Sequence, residues 1–187
     1  MRFLRLSAAI LLGLGLAACD NDQTGPSSTV TVRITDSPFS DAQAVLVTFS
    51  ELSARRSGQG EFTRIPFSPE SATRTCDLKR LQDVEDVLGA GSLAEGHYTQ
   101  IRVTVTAATL YFDAASSSGS PCAASITPPS GASAAIEIPT SQVTIDHEFD
   151  VTNNDATTIT LDFEGEPSIH PSGSGSFVLT PVISVVE

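Results

Sequence analysis

From residue 29 onward, apolar and polar residues alternate along the chain. Val30, Val32 and Ile34 interleave with Thr29, Thr31, Arg33 and Thr35, the pattern of a strand with one buried face. Asp36-Ser37-Pro38 predicts its end, because Asp and Ser bond to nearby amides and Pro sets the backbone angle. Val45, Val47 and Phe49 repeat the alternation, and Ser57-Gly58-Gln59-Gly60 predicts a turn. Further strands are expected over 62–67, 98–112, 134–138, 143–151, 157–163 and 177–186. Over 98–112 the apolar side is carried by Ile101, Val103 and Val105. One stretch breaks the period: Leu78, Leu81, Val84, Val87 and Leu88 predict a short amphipathic helix over 77–88, ended by Gly89 and Gly91. The pattern predicts an all-β fold, an antiparallel β-sandwich of Ig-like or transthyretin-like Greek-key type with one short helix. Its core should hold Val32, Ile34, Val47, Phe49, Ile101, Val103, Leu161 and Phe163.

The first residues follow a different logic. Arg2 and Arg5 precede an apolar run from Leu6 to Leu16, and then come Ala17, Ala18 and Cys19. The run is about half the ~20 residues of a spanning helix, and the layout is that of a secretory signal. Leu16-Ala17-Ala18-Cys19 resembles the lipobox of bacterial lipoproteins. That resemblance implies cleavage before Cys19, a diacylglyceryl group on its thiol and a fatty acyl chain such as palmitate on the new amine. Residues 1–18 are then a lipoprotein signal peptide, 19–28 a lipidated cysteine with a flexible tether, and 29–187 a β-sandwich domain. Gly25 and Pro26 within a polar stretch suit a tether.

The 187 residues carry a net charge of −12. Loss of Arg2 and Arg5 makes the mature balance more acidic still, which argues against nucleic acid and anionic headgroups as partners. Lipidation of Cys19 leaves Cys76 and Cys122. In an exported protein such a pair is expected to form a disulfide, adding about 4 kcal/mol through loop closure. Two free thiols are the alternative.

Sites for chemistry are sparse. No G-x-S-x-G, H-E-x-x-H or Walker loop occurs. His97 reads as a turn residue at the start of a strand, His147 as a partly buried strand residue, and His170 as a solvated loop residue. Oxygen ligands for calcium could come from Asp36, Asp162 and Glu164, or from Asn153-Asn154-Asp155. No spacing matches an EF-hand. Asp36 is accounted for by capping its own turn, and Asn153-Asn154-Asp155 by a hairpin connection. No cofactor and no catalytic residue is expected; calcium, at Asp36 and Asp162, is the one metal considered.

The strand-and-turn Val30-Thr31-Val32-Arg33-Ile34-Thr35-Asp36-Ser37-Pro38 resembles the opening of domain of unknown function 4382. Glu95-Gly96-His97-Tyr98-Thr99-Gln100-Ile101-Arg102-Val103, Thr160-Leu161-Asp162-Phe163 and Leu179-Thr180-Pro181-Val182-Ile183 are similar to later segments of that family. The chain departs from it at Ser37, Glu95 and His97. The resemblance implies a β-sandwich of secreted and lipid-anchored bacterial proteins with no assigned reaction. The expected function is therefore a non-enzymatic binding or interaction module, lipid-anchored in the bacterial cell envelope. It could sit on the inner or outer membrane, facing the periplasm or the surface, with a protein or glycan partner. The absence of Trp, with only Tyr98 and Tyr111, weakens sugar stacking. The alternatives are a structural component of cell-surface assembly pairing through its sheet edges, a calcium-binding module, and a hydrolase.

Overall fold

A computed structural model describes residues 25–186 apart from Pro38, Ser117 and Ser174; the expected signal peptide, Cys19 and most of the expected tether lie outside them. The elements are β1 (Ser27–Ser37), β2 (Ala44–Arg56), β3 (Phe62–Arg64), β4 (Arg74–Asp77), a 3-10 turn (Leu78–Arg80), β5 (Asp86–Ala94) and β6 (Gly96–Tyr111). They continue with β7 (Cys122–Ala123), β8 (Ser133–Glu137), β9 (Gln142–Val151), β10 (Thr157–Glu164), α1 (Gly165–Ser168), β11 (Ile169–Pro171), β12 (Phe177–Leu179) and β13 (Ile183–Val186).

The strands form two sheets. The smaller has the order β13-β10-β1-β5; the larger runs β11-β12-β8-β6-β2-β4-β7, with β3 beside β2 and β9 beside β6. The all-β sandwich is as the alternation predicts, but the sheets are mixed, not purely antiparallel. β1 pairs with β10 in parallel, Val32 opposite Ile159 and Ile34 opposite Leu161, and β12 pairs with β8 in parallel. The β1–β10 pair joins the first strand to one more than a hundred residues later. Hydrophobic alternation encodes which face is buried, not which neighbour a strand takes, so pairing direction escapes it.

The inner faces supply one core. All eight residues expected there are at most 1% exposed. Phe49 of β2 and Phe163 of β10 meet edge to face across the two layers, with ring centres 6.4 Å apart and planes at 73°. Such a pair adds about 0.5–1.5 kcal/mol to the burial of its rings. β2 runs further than the Val45-Val47-Phe49 alternation suggests. Its register on β6 shifts around Phe49 and Glu51, and the extra residue changes the parity of the strand. Inward positions pass from Val45, Val47 and Phe49 to Leu52 and Ala54, all 0% exposed.

The helix expected over 77–88 is not formed. Only Leu78–Arg80 makes a turn of 3-10 helix, capped by Asp77, and Asp86 opens a strand that runs through Gly89 and Gly91. Leu78, Leu81 and Leu88 are buried, whereas Val84 is 50% exposed, so the presumed apolar stripe has no common face. The glycines serve close approach instead of helix termination. The loop at Pro66 lies on β5, with Ala90 N–H donating to the Pro66 carbonyl at 3.0 Å and Ser68 N–H to that of Leu88 at 3.2 Å. A Cβ on Gly89 would stand 2.6 Å from the Pro66 oxygen and 2.8 Å from Leu52 Cδ2.

Two further expectations change. The Asn153-Asn154-Asp155 segment is not a hairpin, since β9 and β10 belong to different sheets; it carries the chain from one layer to the other, with Asn154 at φ 70°. The 177–186 strand is two strands, broken at 180–182 where Pro181 cannot donate to a ladder.

Phe163→Ala should cost about 3–5 kcal/mol. Gly89→Ala should cost about 1–3 kcal/mol by overpacking, read as a lower urea midpoint; an unchanged midpoint would contradict the contact with Pro66.

Candidate functional site

The sites expected from the sequence separate into three places. Cys76 and Cys122 stand opposite each other on β4 and β7 and form a disulfide, with Cα atoms 4.1 Å apart. The bond ties the segment after β6 to the sheet edge.

Asp36 and Asp162 lie on the paired ends of β1 and β10, but alternation turns them to opposite faces. Asp36 continues the inward series Val30, Val32, Ile34 and is 5% exposed; its register partner is Phe163. Asp162 faces the other way and accepts a hydrogen bond from Ser37 Oγ at 3.0 Å. Asp36 does not cap its own turn: among the described residues neither carboxyl oxygen has a well-formed hydrogen bond, and the Gly165 backbone amide exerts the weakest of the influences on its pKa. Burial, and secondarily the charge of Asp162, raises its pKa from 3.8 to about 8 against the opposing pull of Lys79. Glu166 nearby is held below the usual carboxylate range by the Ser40 amide and hydroxyl, the amide donating at 2.8 Å. Among the described residues, no three His, Cys, Asp or Glu side chains converge as a metal site. The two aspartates considered for calcium are thus not brought into one coordination shell.

The histidines are dispersed. His97 belongs to β6, not to a turn, and contacts Asp150 at 2.9 Å and Glu148 at 3.9 Å on the exposed face. His147 is half-buried beside Phe149. His170 is exposed on β11, opposite Val178. Asp155 takes a hydrogen bond from Thr152 Oγ1 at 3.0 Å, closing its own turn.

A cleft of about 480 Å³, marked by no sequence motif, lies beside the disulfide. Ser68, Pro69 and Glu70 form one wall, Asp86 and Val87 of β5 another, and Ser120, Cys122, Ala123 and Ala124 a third, with Arg74 of β4 between them. Its volume falls in the range of small-molecule sites. Asp86 fastens the walls together: Oδ2 accepts from the Cys122 amide at 2.9 Å and from the Ser120 hydroxyl, and Oδ1 from the Val87 amide at 2.8 Å. Arg74 is 3% exposed. Its Nη2 donates to the Cys122 carbonyl at 3.1 Å and stands 4.0 Å from Asp86 Oδ1. Its Nε has no partner among the described residues. Burial lowers the Arg74 pKa, and the neighbouring charge of Asp86 offsets this only in part. No motif marks Arg74 in the sequence, because its burial comes from the loop, β5 and β7 closing over it.

The family model described as "Domain of unknown function (DUF4382)" matches residues 27–181. The chain belongs to the DUF4382 family. The match runs from the first residue of β1 to the residues between β12 and β13, so it takes in both sheets, the disulfide and the Arg74 cleft. Neither the curated proteins nor the solved structures contain a match to this DUF4382 chain.

The raised Asp36 pKa sets a pH dependence. A carboxyl group that binds its proton more tightly when folded contributes stability in full below its unfolded pKa near 3.8, and that contribution is lost as pH rises through about 8. Asp36→Asn should flatten the fall in unfolding free energy between pH 5 and pH 9, and should stabilise the protein by at least ~1 kcal/mol at the alkaline end. Parallel pH curves for the two proteins would refute this assignment.

Proposed function

We propose that this DUF4382 protein is a lipid-anchored component of the bacterial cell envelope whose sandwich is a non-enzymatic binding module. The observation that carries the binding role is the cleft at Arg74, a preformed concavity held between two strand edges, a loop and a disulfide. Binding surfaces of this kind are characteristic of loops on a rigid β frame. Support for binding over catalysis comes from the dispersal of Asp36, Asp162, His97, His147 and His170 over five different strands.

Anchoring rests on the first 19 residues. Arg2, Arg5, the apolar run and Leu16-Ala17-Ala18-Cys19 follow one another in the order of a lipoprotein signal. Two or more acyl chains hold a protein stably at a bilayer, where one is marginal. β1 starts at Ser27, so only a short polar segment separates the modified cysteine from the folded domain.

The wild-type protein should sediment with membranes and Cys19→Ala should not; equal partitioning would remove the anchor from this reading. A partner captured from the same envelope should be lost when Ala124→Leu fills the cleft, and retention would place the binding surface elsewhere.

A further inference from the structure

The cleft has an apolar side, a polar side and one buried cation with unused donors. Pro69, Val87, Ala123 and Ala124 supply the apolar surface, and Ser68 and Ser120 add hydroxyls. A guanidinium has five N–H donors. Among the described residues the Arg74 guanidinium makes one hydrogen bond, from Nη2 to the Cys122 carbonyl. Its separation of 4.0 Å from Asp86 is too long for a hydrogen bond. Asp86 itself is engaged by three protein donors, Val87 N, Ser120 Oγ and Cys122 N.

A buried charge left without hydrogen-bond partners is costly. A carboxylate meets the deficit better than a neutral oxygen does, because its two oxygens match the fork of an arginine. Glu70, at the rim, is exposed. Together with the acidic surface it disfavours highly charged anions and favours a ligand with a single charge. The apolar wall favours a ligand with a hydrocarbon portion.

We infer that the cleft between β4, β5, β7 and the 68–70 loop binds a small monocarboxylate, its carboxylate on Arg74 and its apolar part against Pro69, Val87, Ala123 and Ala124. This rests on the binding-module reading above and adds the class of ligand. Asp86 acts as a positioning residue: it holds Ser120 and Cys122 in place and touches no ligand.

The test uses the full-length protein in non-ionic detergent, titrated with hexanoate, its neutral isostere hexanamide, and inorganic phosphate. Amide resonances of Ser120 and Cys122 report on the cleft. Hexanoate should shift them saturably, with hexanamide and phosphate at least tenfold weaker. Arg74→Lys, which keeps the charge and loses the fork, should weaken hexanoate at least tenfold. Ala124→Leu, on an exposed wall residue, should abolish binding with the rest of the spectrum unchanged. Glu70→Gln should tighten hexanoate two- to threefold and leave hexanamide unaffected. Equal response to hexanoate and hexanamide, or phosphate binding as tight as hexanoate, overturns the monocarboxylate. Capture of an envelope partner that depends on the cleft but is indifferent to Arg74→Lys would also overturn it, leaving the binding module standing. If neither carboxylate nor partner depends on the cleft, both readings fall.

Discussion

Two sheets can bury their apolar faces only if inward positions on both stay in phase, and the contact between Phe49 and Phe163 is where that demand is met most directly. Phe49 is the last inward residue of β2 before its parity changes, and Phe163 is the last of β10 before the strand ends. Both are fully buried. Moving either strand by one residue would send its whole apolar set to solvent. The shift after Phe49 lets a long strand bend while Leu52 and Ala54 still reach the core. The parallel pairing of β1 with β10 places Val32 and Ile34 beside Ile159 and Leu161, so the first strand and one of the last complete the same layer. Contacts between segments so distant in sequence make the fold slow to assemble relative to helical proteins of its size.

The cleft is a consequence of the same packing at the sheet edge. Gly89 and Gly91 have no side chains, so the Pro66 loop can rest on β5. The loop then continues past Ser68 and Pro69 to form a wall. The disulfide brings Cys122 against β4, and the Cys122 carbonyl becomes an acceptor for Arg74. Backbone approach, covalent cross-link and buried charge therefore meet in one place. At the opposite extreme, the inward face of β1 ends on Asp36, a carboxyl group in a position where its neighbours on the strand are Val and Ile. The field of Asp162 and the loss of water make its neutral form the stable one.

Much of this was legible along the chain, and what was not has identifiable causes. Strands with strong β-branched alternation, such as those around Val32, Val103 and Leu161, appear where the pattern places them. The cysteine pair was legible because setting Cys19 aside leaves two cysteines, Cys76 and Cys122, to bond with each other. The 77–88 segment was not, because apolar residues three apart fit a helix and also fit a strand with a turn before it. Glycine-containing β5 is held by its pairing to β1 and by the Pro66 loop, and intrinsic propensity is a weak guide to a strand stabilised in that way. Asp36 read as a turn cap because its neighbours Ser37 and Pro38 are turn residues, although its own position in the alternation is an inward one.

Local order in this protein follows from single-chain properties: a period of two makes strands, and Gly and Pro interrupt them. Those features act over a few residues and are visible without a fold. Sheet membership, strand direction and the environment of Arg74 depend on groups far apart in the chain, as with Arg74 and its acceptor Cys122, 48 residues on. A guanidinium acquires an unmet demand for acceptors only when water is excluded around it. That exclusion is a property of packed surfaces, so the cleft comes into being with the assembled sheets.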